Sequence, residues 1–185
     1  NTLVPDYPSR IEQIPIVSNI PEKINSREEI LSLRNKVAAK DEIIIAFFGQ
    51  RNIKVSLEVI ERLKRSGHKV KVLFIGKIDD TFTDLSDIVY KTGVLNIDEI
   101  NPYFLVSDIL ILPEDTYYGC SFKSGSLAAA LKNGLPVVTA KGILTDSSMK
   151  DNENIIFVDF LNPLQLEESL VHLIRFPHLR EKIGN

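Results

Sequence analysis

Short, β-branched apolar runs alternate along this chain with longer amphipathic segments, and nearly every run stops at a glycine or proline. Ile43–Phe48 ends at Gly49, Val70–Ile75 at Gly76, and Ile109–Leu112 at Pro113. Ile88–Tyr90, Pro136–Thr139 and Ile155–Val158 are shorter runs of the same kind. Runs of this length and branching predict buried strands. The segments between them carry helical spacing. Ser26 and Glu29 stand at capping-box distance ahead of Ile30, Leu33 and Val37. Ile53, Leu57, Ile60 and Leu63 predict one face of a helix that stops at Gly67. A short helix is expected from Asp98, interrupted or restarted at Pro102 as a first helical turn. An Ala/Leu-rich helix is expected over 126–132, stopped at Gly134. Asn162 and Pro163 open a further helix with Leu166, Leu170 and Leu173 inward, and a last turn closes at Gly184.

Strand and helix in strict alternation give right-handed crossovers, hence an α/β fold with a parallel sheet covered by helices on both faces. Ligands of such sheets sit outside the carboxyl ends of the strands. Here those ends are Gly49, Gly76, Gly93 and the loop from Pro113 to Gly125. Residues 1–25 read as an extended lead-in, because Pro5, Pro8, Pro15 and Pro21 forbid a continuous helix, with Ile14–Val17 a candidate edge strand. Residues 26–185 form the domain. The chain starts at Asn1 rather than Met, which points to a piece of a longer protein or a processed start.

Composition narrows the function classes. A formal net charge of -3 with no Lys/Arg block gives no nucleic-acid partner. No apolar run reaches about 18 residues, so no transmembrane segment is expected in this chain. His68, His172 and His178 are scattered, so no metal site is expected. Cys120 is the single cysteine, in keeping with a reducing, cytoplasmic setting, and no histidine lies near it in sequence to act as a base. The glycine patterns of dinucleotide-binding proteins, P-loop NTPases and α/β hydrolases are all absent, and no cofactor is expected.

Two stretches at the ligand edge carry chemistry. Gly49-Gln50-Arg51-Asn52-Ile53-Lys54 combines a glycine with two cations at a helix start, which suits a diphosphate, or equally a turn with two exposed charges. Lys123-Ser124-Gly125-Ser126 opens the Ala/Leu helix. It can offer free N–H groups to a phosphate, or can serve only as an N-cap through Ser124 or Ser126.

In order, Thr92-Gly93-Val94-Leu95, Asp98-Glu99-Ile100, Ser107–Pro113, the stretch Gly125–Val138 with its Gly-Leu-Pro-Val-Val turn, and the closing Asn162-Pro163 helix resemble a known family. It is the carboxyl-terminal, donor-binding half of GT-B-fold glycosyltransferases of the large retaining group 1 family. The resemblance implies a Rossmann-like domain that binds a nucleotide-diphosphate sugar and passes the sugar to a glycan or other acceptor. An amino-terminal acceptor domain would be missing, and without it the chain would be inactive. Polysaccharide biosynthesis and a cytoplasmic location, with any membrane association carried by the missing part, go with it. By the resemblance, Arg51 and Lys54 hold the donor diphosphate, Leu95 meets the base, and Gly125, Ser126 and Leu127 lie under the phosphates. Gly49, Gly76 and Ser124 complete the expected donor site, and no catalytic residue is assigned. The family often carries two glutamates at positions that correspond here to Ser121 and Ala129, and a subset has a Gly-Ser-Leu helix start like this one. The alternative is a non-catalytic relative that binds a nucleotide or a partner protein.

Overall fold

The computed structural model describes residues 16–23, 25–77 and 87–185. Its strands are β1 (Ile43–Phe48), β2 (Val70–Ile75), β3 (Val89–Lys91), β4 (Ile109–Leu112), β5 (Val137–Thr139) and β6 (Ile156–Phe157). The helices are α1 (Arg27–Val37), α2 (Lys54–Arg65), α3 (Ile97–Leu105), α4 (Gly125–Lys132), α5 (Pro163–Arg175) and α6 (Pro177–Gly184). All six strands are parallel, in the order β3-β2-β1-β4-β5-β6.

Side chains alternate along each strand, so one run feeds two cores. Ile45 and Phe47 join Leu57, Ile60, Leu63, Leu166, Leu170 and Leu173 on the α2–α5 face. Ile44 and Ala46 join Val37, Phe104, Leu127 and Ala130 on the α1–α3–α4 face. Burying each such Val, Leu, Ile or Phe side chain stabilises the fold by about 1.5–3 kcal/mol relative to leaving it exposed.

The helix caps follow their sequence signals. Ser26 and Glu29 form the reciprocal capping box of α1. Asn162 caps α5 with Pro163 at its first position. Ser124, and not Ser126, caps α4, so that helix begins one residue earlier than expected, at Gly125.

Three expectations need correction. Pro102 does not open a helical turn. It lies inside α3, which starts at Ile97 with an Asn96–Glu99 capping box. Proline there removes only the bond to the Asp98 carbonyl, on an exposed residue where water can replace it. The third strand runs one residue later, over Val89–Lys91, while the Ile88 carbonyl still accepts from the Val72 N–H. Of the candidate edge strand, Ile14 and Pro15 lie outside the described residues. Ile16 and Val17 join no sheet, although the Ile16 N–H donates to the Phe122 carbonyl.

The two halves of the sheet meet at β1 and β4, and one side chain locks them there. Asp108 donates its N–H to the Ile44 carbonyl, and its Oδ2 accepts from the Ile44 N–H at 2.7 Å. Arg34 reaches the same carboxylate at 2.9 Å and also donates to the carbonyls of Val106 and Glu42. One guanidinium on α1 therefore ties the helix to the amino ends of both central strands. We expect Arg34→Ala to lower unfolding free energy by about 1–3 kcal/mol, the scale of a charged group's hydrogen bonds left unmade. Urea denaturation measures it, and an unchanged midpoint would leave Arg34 a surface charge.

Candidate functional site

The strand order places a reversal of winding between β1 and β4. From β1 the chain winds outward to β2 and β3, then returns to the far side of β1 to lay down β4, β5 and β6. In sheets of this architecture ligands usually sit in a crevice outside the carboxyl ends of the strands at such a reversal, which here are the ends of β1 and β4.

Three segments meet at it. Gly49 leaves β1 with φ +81°, a left-handed conformation that suits glycine. A Cβ there would lie 3.1 Å from Arg51 Nη1 and 3.9 Å from Ser126 Oγ. From β4 comes Glu114, directly after Pro113. The third segment is the start of α4. Arg51 joins all three. Its Nε and Nη2 donate to Glu114 Oε1 at 3.1 and 2.9 Å, its Nη1 donates to the Phe48 carbonyl at 2.8 Å, and Ser126 Oγ stands 3.4 Å from Nη1. The ion pair is largely shielded, with 18% of the Arg51 side chain and 27% of the Glu114 side chain exposed.

The helix start itself is open. Ser124 Oγ accepts the Leu127 N–H and the Ser124 carbonyl accepts the Ala128 N–H. Among the described residues the N–H groups of Gly125 and Ser126 have no acceptor. Beyond its chain neighbours and its own helical turn, nothing lies within 4 Å of where a Gly125 Cβ would stand. Two unpaired N–H groups at the positive end of a helix are donors that an anion can satisfy.

The other expected site residues are spread more widely. Lys54 is the first residue of α2; its N–H is bonded to Asn52 Oδ1 and its side chain is exposed. Gly76, at the end of β2 with φ +97°, donates to Thr92 Oγ1 and pairs with Gly93 across the loops after β2 and β3. Leu95 is half-buried against the α1–α3–α4 core. Leu127 points into that core and is fully buried, so only its backbone faces the helix start. Ser121 is half-buried and Ala129 fully buried, and neither residue type carries a carboxylate. Glu114 is the residue that sequence reasoning missed. Its only sequence signal is an acidic side chain immediately beyond a central strand, across the crevice from an arginine.

Beside the site, the loops after β4 and β5 are bound into one layer. Asp115 Oδ1 accepts the N–H groups of Tyr117 and Tyr118. The Ile143 and Leu144 N–H groups donate to the Tyr117 and Tyr118 carbonyls. Gly119 and Gly142 lie back to back, so that a Cβ on either would overlap the other loop's backbone. Tyr117 and Tyr118 pack edge to face at 5.0 Å and stay largely exposed.

Cys120 closes the floor of this loop and is 1% exposed. Burial pushes its thiol up to about 11, against a smaller opposing pull from the Thr139 hydroxyl. At neutral pH it is a protonated, apolar-packed thiol rather than a nucleophile. Among the described residues there is no His/Cys/Asp/Glu group that could hold a metal ion, and no helix long and apolar enough to cross a membrane.

No family model matches the sequence, and no curated protein is similar to it. Solved structures are. The carboxyl-terminal domain of a group 1 family glycosyl transferase, LpcC from Francisella tularensis, superposes with a TM-score of 0.68 at 17% identity, over 92% of this chain and 93% of that one. This chain has the fold of a GT-B carboxyl-terminal domain. Alr3699/HepE from Anabaena, solved in complex with UDP and glucose, gives a TM-score of 0.67 at 14% identity. The match covers 87% of this chain and 46% of that one. Sucrose-phosphate synthase from Thermosynechococcus elongatus gives 0.63 at 16% identity, over 85% and 42%. Against these two the chain spans just under half of the neighbour's length.

The Cys120 environment has a direct readout. Labelling by a thiol reagent at pH 8 should proceed only at the rate of unfolding, and should become immediate in denaturant. Rapid labelling of the folded protein would show that the loop opens.

Proposed function

We propose that this domain binds a nucleoside-diphosphate sugar and serves as the donor half of a glycosyltransferase. The observation that carries the reading is the pair of unpaired N–H groups at Gly125 and Ser126, set beside Arg51 where the winding of the sheet reverses. An anion at Gly125 gains two backbone donors and a helix N-terminus, and no side chain obstructs it. The diphosphate would lie over this cradle. Lys54 at the start of α2 would supply a mobile cation, and Gly49 would allow close backbone approach. Leu95 and Gly76, beyond β2 and β3, stand on the side where the base would extend.

Donors held there act on the leaving group. As the sugar–phosphate bond breaks, negative charge grows on the diphosphate, and N–H groups already aimed at it stabilise that charge without reorganising. A retaining transfer to an acceptor would need a second, acceptor-binding domain, because no base or nucleophile has been assigned in this half. The similarity to GT-B domains, one of them solved with UDP and glucose, supports the same reading.

A second reading is a non-catalytic domain that keeps only the nucleotide site. It is favoured by Ser121 and Ala129, which put no carboxylate at the two positions where the resembling family carries glutamates toward the sugar and ribose. Turnover of a nucleotide sugar by the protein joined to its acceptor-binding domain decides between the two.

Binding itself is tested by calorimetry over a panel of nucleoside diphosphates. Gly125→Val should abolish binding by filling the space above the cradle, while melting within a few degrees of the parent, because a Cβ there meets no atom within 4 Å beyond its chain neighbours and its own helical turn. Retained affinity in the valine variant would remove the cradle from the site. Lys54→Ala should weaken binding by about 1–3 kcal/mol, the scale of a hydrogen bond to a charged group, with stability unchanged. Equal affinities would leave Lys54 a solvated charge.

A further inference from the structure

Arg51 is not a free cation. A guanidinium presents five N–H donors, and its best fork for an oxyanion is the parallel pair on Nε and Nη2. Both of those donate to one oxygen of Glu114, at 3.1 and 2.9 Å. Nη1 is drawn toward the Phe48 carbonyl at 2.8 Å and Ser126 Oγ at 3.4 Å. Glu114 therefore sits where a phosphate would bind most strongly, and it cancels the charge that would attract one.

We propose that Glu114 sets the affinity of the site by standing in for the donor's phosphate: an incoming diphosphate must either displace its carboxylate from the Arg51 fork or bind beside it against like-charge repulsion. The inference rests on the donor-site reading and assigns a role to a residue outside the expected donor set. Either route makes Glu114 an opponent of anion binding. If the carboxylate is displaced, its pair with Arg51 is lost as the phosphate pair forms, so the net gain is small. If it stays, two anions share one cation in a shielded crevice, where repulsion is stronger than in open water. In both cases nucleotide is held loosely, which favours release of the spent diphosphate. Without an anion, the same pair keeps the loop after β1, the loop after β4 and the start of α4 in register.

The sign of one substitution separates this from a purely structural role. Glu114→Gln keeps the shape, and its carbonyl oxygen can still accept from Nε and Nη2, but the charge is gone. A residue that only positions Arg51 would lose affinity or leave it unchanged on substitution; an opposing carboxylate must raise it. By calorimetry, Glu114→Gln should bind inorganic pyrophosphate and UDP about tenfold more tightly than the parent, the change that goes with about 1.4 kcal/mol. Glu114→Ala should also gain affinity, and serves if the glutamine variant does not fold, as judged by its melting curve. Binding by the variants alone, with none by the parent, would support the proposal in its strongest form. Equal or weaker binding by the variants, with binding by the parent, would overturn it and leave the donor-site reading standing. No binding of either compound by any of the proteins would overturn both.

Discussion

The bond network between Asp108 and Ile44 holds the centre of this structure. Parallel strands taken from distant parts of a chain have no hairpin to fix their register. Here β1 and β4 are neighbours although 60 or more residues separate them, and the Asp108 side chain extends their ladder where the backbone alone would leave the Ile44 N–H unpaired. A one-residue slip would exchange the Ile44 and Ile45 sets between the two cores. It would also part Gly49 from Glu114. The geometry of the crevice at one end of the sheet is thus set by a carboxylate at the other.

Much of this fold can be read from local chemistry. Strands β1, β2 and β4 are apolar runs with sharp ends, and the starts of α1 and α5 are caps that act over three residues. What sequence could not give is of two kinds. Pro102 reads as an interruption or restart of the helix from Asp98, because proline favours a first helical turn and breaks the ladder within one. Here the surrounding turns pack well enough, with Phe104 fully buried, that one missing bond on an exposed carbonyl is tolerated. Glu114 is the second kind. Its partner is 63 residues away, and no local pattern marks an ion pair that exists only because β1 and β4 lie side by side. The expected donor residues Gly49, Arg51 and Ser126 are brought together by that same adjacency, whereas Leu127 belongs to the core.

The crevice balances two kinds of positive potential. One is the Arg51 guanidinium, already matched by a carboxylate. The other is the backbone at the start of α4, whose first turn carries no acidic side chain to offset it and which does not depend on pH. Within this arrangement the backbone is the more constant attractor for an anion, and the arginine the adjustable one. The N–H groups of Gly125 and Ser126 are held by a helix whose inner face, at Leu127, Ala129 and Ala130, is sealed against the sheet. Their direction is therefore fixed before any ligand arrives.

The back-to-back glycines at 119 and 142 bear on how this surface can change over evolutionary time. With no room for a Cβ on either side, and with two backbone bonds stitching 143 and 144 to 117 and 118, the loops after β4 and β5 cannot lengthen or shorten one at a time. An insertion in one would unzip both, expose Cys120 and release the tyrosines. Loops at a ligand edge are ordinarily where families diversify by insertion. In this domain, new specificity on that side of the crevice has to come from exchanging side chains on a backbone of fixed length, with Tyr117, Tyr118, Ile143 and Leu144 as the positions open to change.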